Sequence, residues 1–513
     1  LLDPVIEYKD AKRTNAKKDN TSPTFKELNA KNVIDFTHQE IYYDDYKEEV
    51  LLPHQLSQMG PALVVGDVDN NGLDDIYIGG AHQQAGALFL QKQSQKFVKS
   101  QPTLWSADSK YEDVDALFFD ADGDKDLDLY VVIGSNEFLQ ESAMLEDRLY
   151  LNNGKGVFEK STGLLPQFTT NGGTISAADF DKDGDQDLFI GGGVEPGKYP
   201  YASKSILLQN NEDGFKEVTS TLAPDLERAG ITQSSVWSDF NGDGTLDLIV
   251  VGEWTSPMFF ANDGAEFSLT KLGEVDKMVG WWNNVTAIDL DNDGDEDYLL
   301  GNLGENYKYK ATDEEPFEIF SGDFDNNGKQ DIVLGYYSES NLYPVRGFQC
   351  SSEQMPDLQN QFDSYKSFGT ADIFEIYGTE LEDALHYKAN NFSSLILWNK
   401  GDEEFEIEKL PGQAQLAPIK DFLIQDFDKD NHLDILLAGN WYVSEVETPR
   451  ADAGTGLLLT NNKNKFSAKS VSQSGFFANK DVRKMAYISC GKKPPLVIVA
   501  NNNHSVQIFE YSN

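Results

Sequence analysis

Apolar residues in this chain fall in short runs bounded by polar turn residues, and the same order of runs returns again and again. One run precedes each acidic stretch, as in ALVV (62–65) and ALFF (116–119). Another follows it, as in IYIGG (76–80), LYVVIG (129–134) and LIVVG (248–252). A third run comes next, RLYLNNG (148–154) or SILLQNN (205–211), and leads into a turn rich in Asn and Gly: NNGKG (152–156), NNEDG (210–214), ANDG (261–264). A fourth run then opens near an aromatic residue, as in VFEK (157–160), GFKEV (214–218) and EFSL (266–269). Short apolar runs separated by such turns predict antiparallel strands, because Asn and Gly supply the left-handed backbone that tight hairpins need.

The acidic stretch itself repeats over nine residues: Asp, any residue, Asp or Asn, any residue, Asp or Asn, usually Gly, two more, then Asp. The oxygen-bearing positions one, three, five and nine are Asp67, Asp69, Asn71 and Asp75 in the first copy. They are Asp120, Asp122, Asp124 and Asp128 in the second, and Asp179, Asp181, Asp183 and Asp187 in the third. Asp239, Asn241, Asp243 and Asp247 form the fourth, and Asp289, Asp291, Asp293 and Asp297 the fifth. Asp323, Asp325, Asn327 and Asp331 form the sixth, and Asp426, Asp428, Asp430 and Asp434 the seventh. Successive copies are 53, 59, 60, 50, 34 and 103 residues apart. Periods of this size mark stacked supersecondary units, and four short strands per period is one propeller blade. Residues 482–500 carry the strand pattern without an acidic loop and read as a degenerate eighth repeat. That repeat ends with VQIFE (506–510), one strand short, and TFKEL (24–28) resembles the fourth strand elsewhere. The N-terminal strand is therefore expected to complete the last blade and hide its edges. The 34-residue spacing predicts a stunted fifth blade. The predicted fold class is all-β: a closed β-propeller of seven or eight four-stranded blades, eight favoured by repeat count, with a small helical insertion at 346–391.

Oxygen side chains at alternating positions, bent around a glycine, suit a hard cation. Ca²⁺ accepts six to eight oxygens of mixed kind, whereas Mg²⁺ holds on to its waters. Seven copies in register exceed what plain Asp/Asn turns require, since a turn needs no set of three or four carboxylates. An EF-hand would need Glu at position twelve. That position holds Ile78, Val131, Ile190, Val250, Leu300, Leu334 and Leu437, which excludes it. Two copies depart at position six, where Lys125 and Asn431 replace glycine.

Composition narrows the function. Of 513 residues, Lys and Arg number 42 and Asp and Glu 86, a net charge of −44. That excludes a phosphate-backbone grip on nucleic acid and makes an anionic membrane face an unsuitable partner. Hydrophobic residues at 39% and aromatics at 12% exclude a disordered chain. Cys350 and Cys490 are the two cysteines, too few for a disulfide framework or a cysteine zinc cluster. No apolar run reaches the roughly 18 residues of a membrane-spanning helix. The first residue, Leu1, carries no leader pattern, which suits a processed or trimmed start.

The acidic motif, its flanking strands and the NNG-type turn resemble the FG-GAP/VCBS repeats of integrin-α-like propellers. Residues 335–348 followed by CSSEQMP, and 447–459, are similar to large FG-GAP/VCBS surface proteins of Bacteroidetes related to cartilage acidic proteins. The resemblance spans about 24–513 and leaves 1–23 as an N-terminal linker. It implies up to seven Ca²⁺ sites, each using positions one, three, five and nine plus a backbone carbonyl at seven. It also implies an extracellular or cell-surface location, and that the chain is the C-terminal part of a longer protein.

Propeller geometry places the acidic hairpins and the three-to-four turns on one face. The longer loops, 134–148, 192–205, 253–258 and 439–456, fall on the other with the 346–391 insertion. They carry Glu137, Glu195, Trp254, Trp281, Trp282, Asn302, Arg346, Trp441 and Arg450, and exposed Trp there would suit a protein or glycan ligand. Packing within blades is the competing expectation for Trp281 and Trp282. Other domains or subunits of a surface assembly are the second kind of partner. No nucleophile elbow, phosphate loop or zinc-type His pair is present, and the expected function is non-enzymatic binding. The alternatives are a docking module of a larger outer-membrane surface complex and a carbohydrate-active enzyme using Glu137, Glu195 and Glu253.

Overall fold

Each second strand of the repeat is apolar on both faces, so it is stable only where sheets cover it on both sides. In the computed structural model, which describes residues 23–511 apart from 212 and 402, that is its position. Asp75–Ile78, Asp128–Ile133, Asp187–Gly192, Asp297–Gly301 and Asp434–Ala438 are buried at every residue. The chain is all-β: eight antiparallel sheets of four strands, one of which gains a short fifth strand at Gly280–Trp281.

Seven of the sheets begin with Leu63–Gly66, Asp113–Phe119, Gly172–Ala178, Ile231–Ser238, Asn284–Ile288, Asp421–Gln425 and Val482–Ile488. Each of these first strands touches the next in that order, and the last touches the first. The last sheet has no acidic hairpin. Its fourth strand is Phe25–Leu28, which pairs antiparallel with Gln507–Tyr511, Phe25 opposite Tyr511. Phe25 packs there among Phe427, Phe476 and Tyr511.

The stunted fifth blade is corrected. The fifth sheet is full size but interrupted, running Asn284–Ile288, Asp297–Gly301, Leu395–Asn399 and Phe405–Lys409. Between its second and third strands the chain leaves to build the eighth sheet from Phe317–Gly322, Asp331–Ser338, Asn341–Pro344 and Leu385–Ala389. The short spacing between the fifth and sixth acidic copies is the distance into this inserted sheet. Four short helices, Phe348–Gln354, Leu358–Gln361, Tyr365–Gly369 and Ile373–Tyr377, lie between its last two strands. Their apolar residues Leu358, Phe368, Ile373 and Ile376 cover Phe320, Val333 and Leu342. Most of the expected linker at 1–23 lies outside the described residues. Cys350 and Cys490 are both free, and among the described residues no helix is long and apolar enough to cross a membrane.

Candidate metal hairpins

Position six of every acidic copy adopts a left-handed backbone: Gly72, Lys125, Gly184, Gly244, Gly294, Gly328 and Asn431 all have positive φ. The bend turns the position-six N–H inward, where it donates to the position-one carboxylate. Gly72 N lies 2.7 Å from Asp67 Oδ2 and Gly328 N 2.9 Å from Asp323 Oδ2. Lys125 and Asn431 make the same bond to Asp120 and Asp426, at 3.0 and 2.9 Å. Replacing glycine therefore leaves the loop shape intact, and the cost is confined to Lys125 at φ 71°. Lys125→Gly is expected to raise stability by up to about 1 kcal/mol in urea unfolding, the relief of a left-handed backbone at a Cβ-bearing residue.

Positions one, three and nine come together. Asp67, Asp69 and Asp75 offer oxygens within 4.8 Å of one another, as do Asp120, Asp122 and Asp128, Asp179, Asp181 and Asp187, Asp289, Asp291 and Asp297, and Asp323, Asp325 and Asp331. These groups could hold a metal ion. At position five one side-chain oxygen accepts from the position-seven N–H, as at Asn71 (2.9 Å), Asp124 (2.9 Å), Asp183 (3.0 Å) and Asp430 (2.9 Å). Asp243, Asp293 and Asn327 do the same, and Asn241 accepts from Asp243 N at 2.9 Å.

Position nine is the buried anchor. One oxygen accepts from the position-two N–H, as for Asp75 with Val68 (3.0 Å) and Asp434 with Phe427 (2.9 Å). The other accepts from the end of the third strand, as for Asp128 with Asn152 (2.7 Å) and Asp247 with Asn262 (2.8 Å). Burial, with the neighbouring aspartates, pushes Asp75, Asp128, Asp187 and Asp247 up to about 7 against the lowering effect of these bonds. The same causes push Asp297, Asp331 and Asp434 up to about 6. Asp69 Oδ1, Asp179 Oδ1 and Asp247 Oδ2 are buried with no hydrogen-bond partner among the described residues. An all-oxygen set with orphaned, partly protonatable carboxylates is chemistry that a divalent cation satisfies. In the first hairpin Lys92 supplies positive charge instead, its Nζ 2.5 Å from Asp69.

Asn residues read from sequence as turn formers tie the hairpins to one another. Asn152 Nδ2 donates to Val68 O of the preceding sheet's hairpin at 2.7 Å. Asn210 reaches Ala121 O (3.1 Å), Asn262 reaches Phe180 O (2.9 Å) and Asn399 reaches Phe240 O (3.2 Å). In the last sheet the Tyr511 hydroxyl takes this role, donating to Phe427 O at 3.1 Å. Asn152→Ala should cost about 1 kcal/mol in urea unfolding, because it removes the bonds to Val68 O and Leu127 O and leaves Val68 O to Gly156 N alone. An unchanged midpoint would count against the tie.

The sixth hairpin does not share the face of the others. It belongs to the inserted sheet, where Lys329 Nζ meets Glu48 at 3.2 Å and Ser321 Oγ donates to Tyr199 O at 3.4 Å. Asp323, Gly328 and Lys329 line a groove of about 580 Å³ with Glu137, Phe138 and Leu139, which follow the far end of a second strand.

The expected exposure of Trp254 and Trp441 is also corrected, and Trp281 and Trp282 follow the packing alternative. Trp254, Trp281, Trp282 and Trp441 are all buried. Trp254, Trp281 and Trp441 sit in one core with Leu52, Tyr199, Tyr309 and Phe317, formed where residues 51–56 and the inserted sheet cover the long loops. Trp254 stacks on Phe317 with ring centroids 5.7 Å apart, and its Nε1 donates to Tyr199 Oη at 2.7 Å. Asn302 is buried as well, and Arg346 is buried against Glu445 at 3.1 Å. Arg450 stays exposed beside Asp452. Of the three carboxylates considered for catalysis, Glu253 is buried; burial works to raise its pKa, but His54, Lys420 and Tyr199 outweigh that and hold it below the ordinary range. Glu137 pairs with His82, and Glu195 pairs with Lys198 at 2.5 Å. These contacts leave Glu253 closed to a substrate.

A model described as an FG-GAP-like repeat matches residues 67–131, 132–190 and 239–300. Those stretches contain the first five acidic hairpins, and the inserted and last hairpins lie outside them. The curated proteins give no match. Among solved structures, Saccharomyces cerevisiae Sqt1 is 11% identical, with 93% of this chain and 99% of that chain covered and a TM-score of 0.43. BBS1N in complex with ARL6DN is 10% identical, with 90% and 94% covered and a TM-score of 0.41. YCF48 bound to D1 peptide is 8% identical, with 93% and 98% covered and a TM-score of 0.41. Likenesses at these scores carry no functional argument.

Proposed function

We propose that the chain is a calcium-stabilised FG-GAP propeller that works outside the cell as a non-enzymatic binding module. The observation that carries this reading is the set of aspartate hairpins, alike in backbone and carboxylate placement, inside repeats that are FG-GAP-like. Calcium is the metal we favour because the candidate ligands are hard carboxylate and amide oxygens, and calcium tolerates such mixed sets. Extracellular calcium is abundant enough to fill weak sites. The cyclic contacts of the seven first strands support a closed ring of seven blades, with the inserted sheet standing outside it in place of an eighth.

The partner we favour is a protein, either a ligand or another part of a surface assembly. Burial of the four tryptophans removes the stacking platform that they would have offered a glycan. The groove beside the inserted sheet remains open, flanked by Tyr43, Leu139 and Lys329, and Leu139 is 84% exposed. This favours the docking-module form of the proposal. Native mass spectrometry after dialysis against calcium tests the metal assignment. Five or more Ca²⁺ per chain are expected, and a chain that retains no metal, or retains Mg²⁺ in preference, would refute it.

A further inference from the structure

The first strands of the seven sheets start around a cavity of about 70 Å³, to which each sheet contributes, among others Pro61, Gly172, Gln233, Asn283, Lys420 and Arg483. In a chain of net charge −44 this wall is cationic, since Lys484 lines it too. Two of the three cations are paired: Lys484 with Asp115 at 3.4 Å and Arg483 with Asp481 at 3.0 Å. Lys420 has no ion pair among the described residues. Its Nζ donates to Asn283 Oδ1 at 2.7 Å and lies 4.0 Å from the centre of the Trp441 ring.

The unsatisfied groups on the wall are all donors. Arg483 Nε and Asn283 Nδ2 are buried without a hydrogen-bond partner, and their residues are only 8% and 6% exposed. Most nearby carboxylates are occupied, although Asp481 Oδ1 and both Glu112 oxygens are buried without a partner. Asp115 accepts from Thr174 and Ile175, Asp421 from Phe422 and Met485, and Glu253 from Tyr199. Burial, then Glu40 and Glu137, drives the Glu112 carboxyl well up. With no counter-ion, Lys420 is lowered to about 7 by burial and then by Arg483, and buried donors with no acceptor are costly.

We propose that this axial cavity binds one small oxyanion of sulfate or phosphate size, held by Lys420 Nζ, Arg483 Nε and Asn283 Nδ2. Titration of the calcium-loaded full chain with sodium sulfate at constant ionic strength, followed by calorimetry, tests it. One saturable site is expected. Lys420→Met and Arg483→Gln should each weaken it by roughly tenfold or more, the loss of one charge-assisted hydrogen bond. Lys492→Met, on an exposed loop, should leave it unchanged. If a variant fails to fold, a crystal of the unaltered chain soaked in selenate gives the second readout, with an anomalous peak beside Lys420 expected. Absence of saturable heat, binding that survives both cavity variants, or a cavity holding only water would overturn the proposal.

Discussion

Chelation of the calcium-loaded protein lowers its melting temperature by about 10 °C or more. Metal that binds only the folded state contributes about 2.7 kcal/mol per site at a hundredfold excess over Kd, and several sites add. A chain this size has a large unfolding entropy, so about 1 kcal/mol moves the midpoint by roughly 1 °C. The loss should be cooperative because Asn152, Asn210, Asn262 and Asn399 each tie one hairpin to the next sheet. Scanning fluorimetry with EGTA, followed by return of Ca²⁺ or Mg²⁺, is the measurement. Recovery with Ca²⁺ alone is expected, and an unchanged melt in EGTA would sink the metal reading. Within one hairpin, Asp187→Ala should cost more than Asp183→Ala. Asp187 is the buried anchor holding Asn210 N at 2.7 Å, whereas Asp183 accepts from its own loop.

The strands and hairpins were legible because their signals are local. Apolar runs, a nine-residue acidic pattern and Asn/Gly turns each declare themselves within a few residues, and the N-terminal strand could be matched to its homologues by its own FKE segment. What was misread depends on long-range pairing. An insertion between the second and third strands of a sheet leaves every local run intact, so Asp297–Gly301 pairing with Leu395–Asn399 is invisible along the chain. The same insertion buries Trp254 and Trp281, which the loop context alone presents as exposed. The Asn ties were missed for a similar reason. Asn152 has a sufficient local explanation as a turn residue, while the carbonyl it satisfies belongs to Val68, 84 positions away.

The metal-free and metal-loaded proteins should show opposite pH dependence. Without metal, the seven position-nine carboxylates have folded pKa values raised to about 6 or 7 from the ordinary 3.8. Between those limits the folded chain holds protons that the unfolded chain has released. Their contribution is therefore fully present below about pH 4 and is lost as pH rises through 6 to 7. Glu49, raised to about 7 by burial, acts in the same direction. His38, held down at about 3, and Lys420, lowered to about 7, both by burial and then by Arg483, act oppositely below their ordinary 6.5 and 10.5, but they are two groups against seven hairpin carboxylates. Metal-stripped protein should thus melt higher at pH 5 than at pH 8. With calcium bound the sign reverses, because protons compete with the ion for the same carboxylates. Melting curves of both forms at pH 5 and pH 8 decide the matter. Parallel slopes would mean that these aspartates neither hold protons in the bare hairpins nor give them up to a metal. A triple Asp128→Asn, Asp187→Asn, Asp247→Asn variant should flatten both profiles, which separates the hairpins from every other buried acid in the chain.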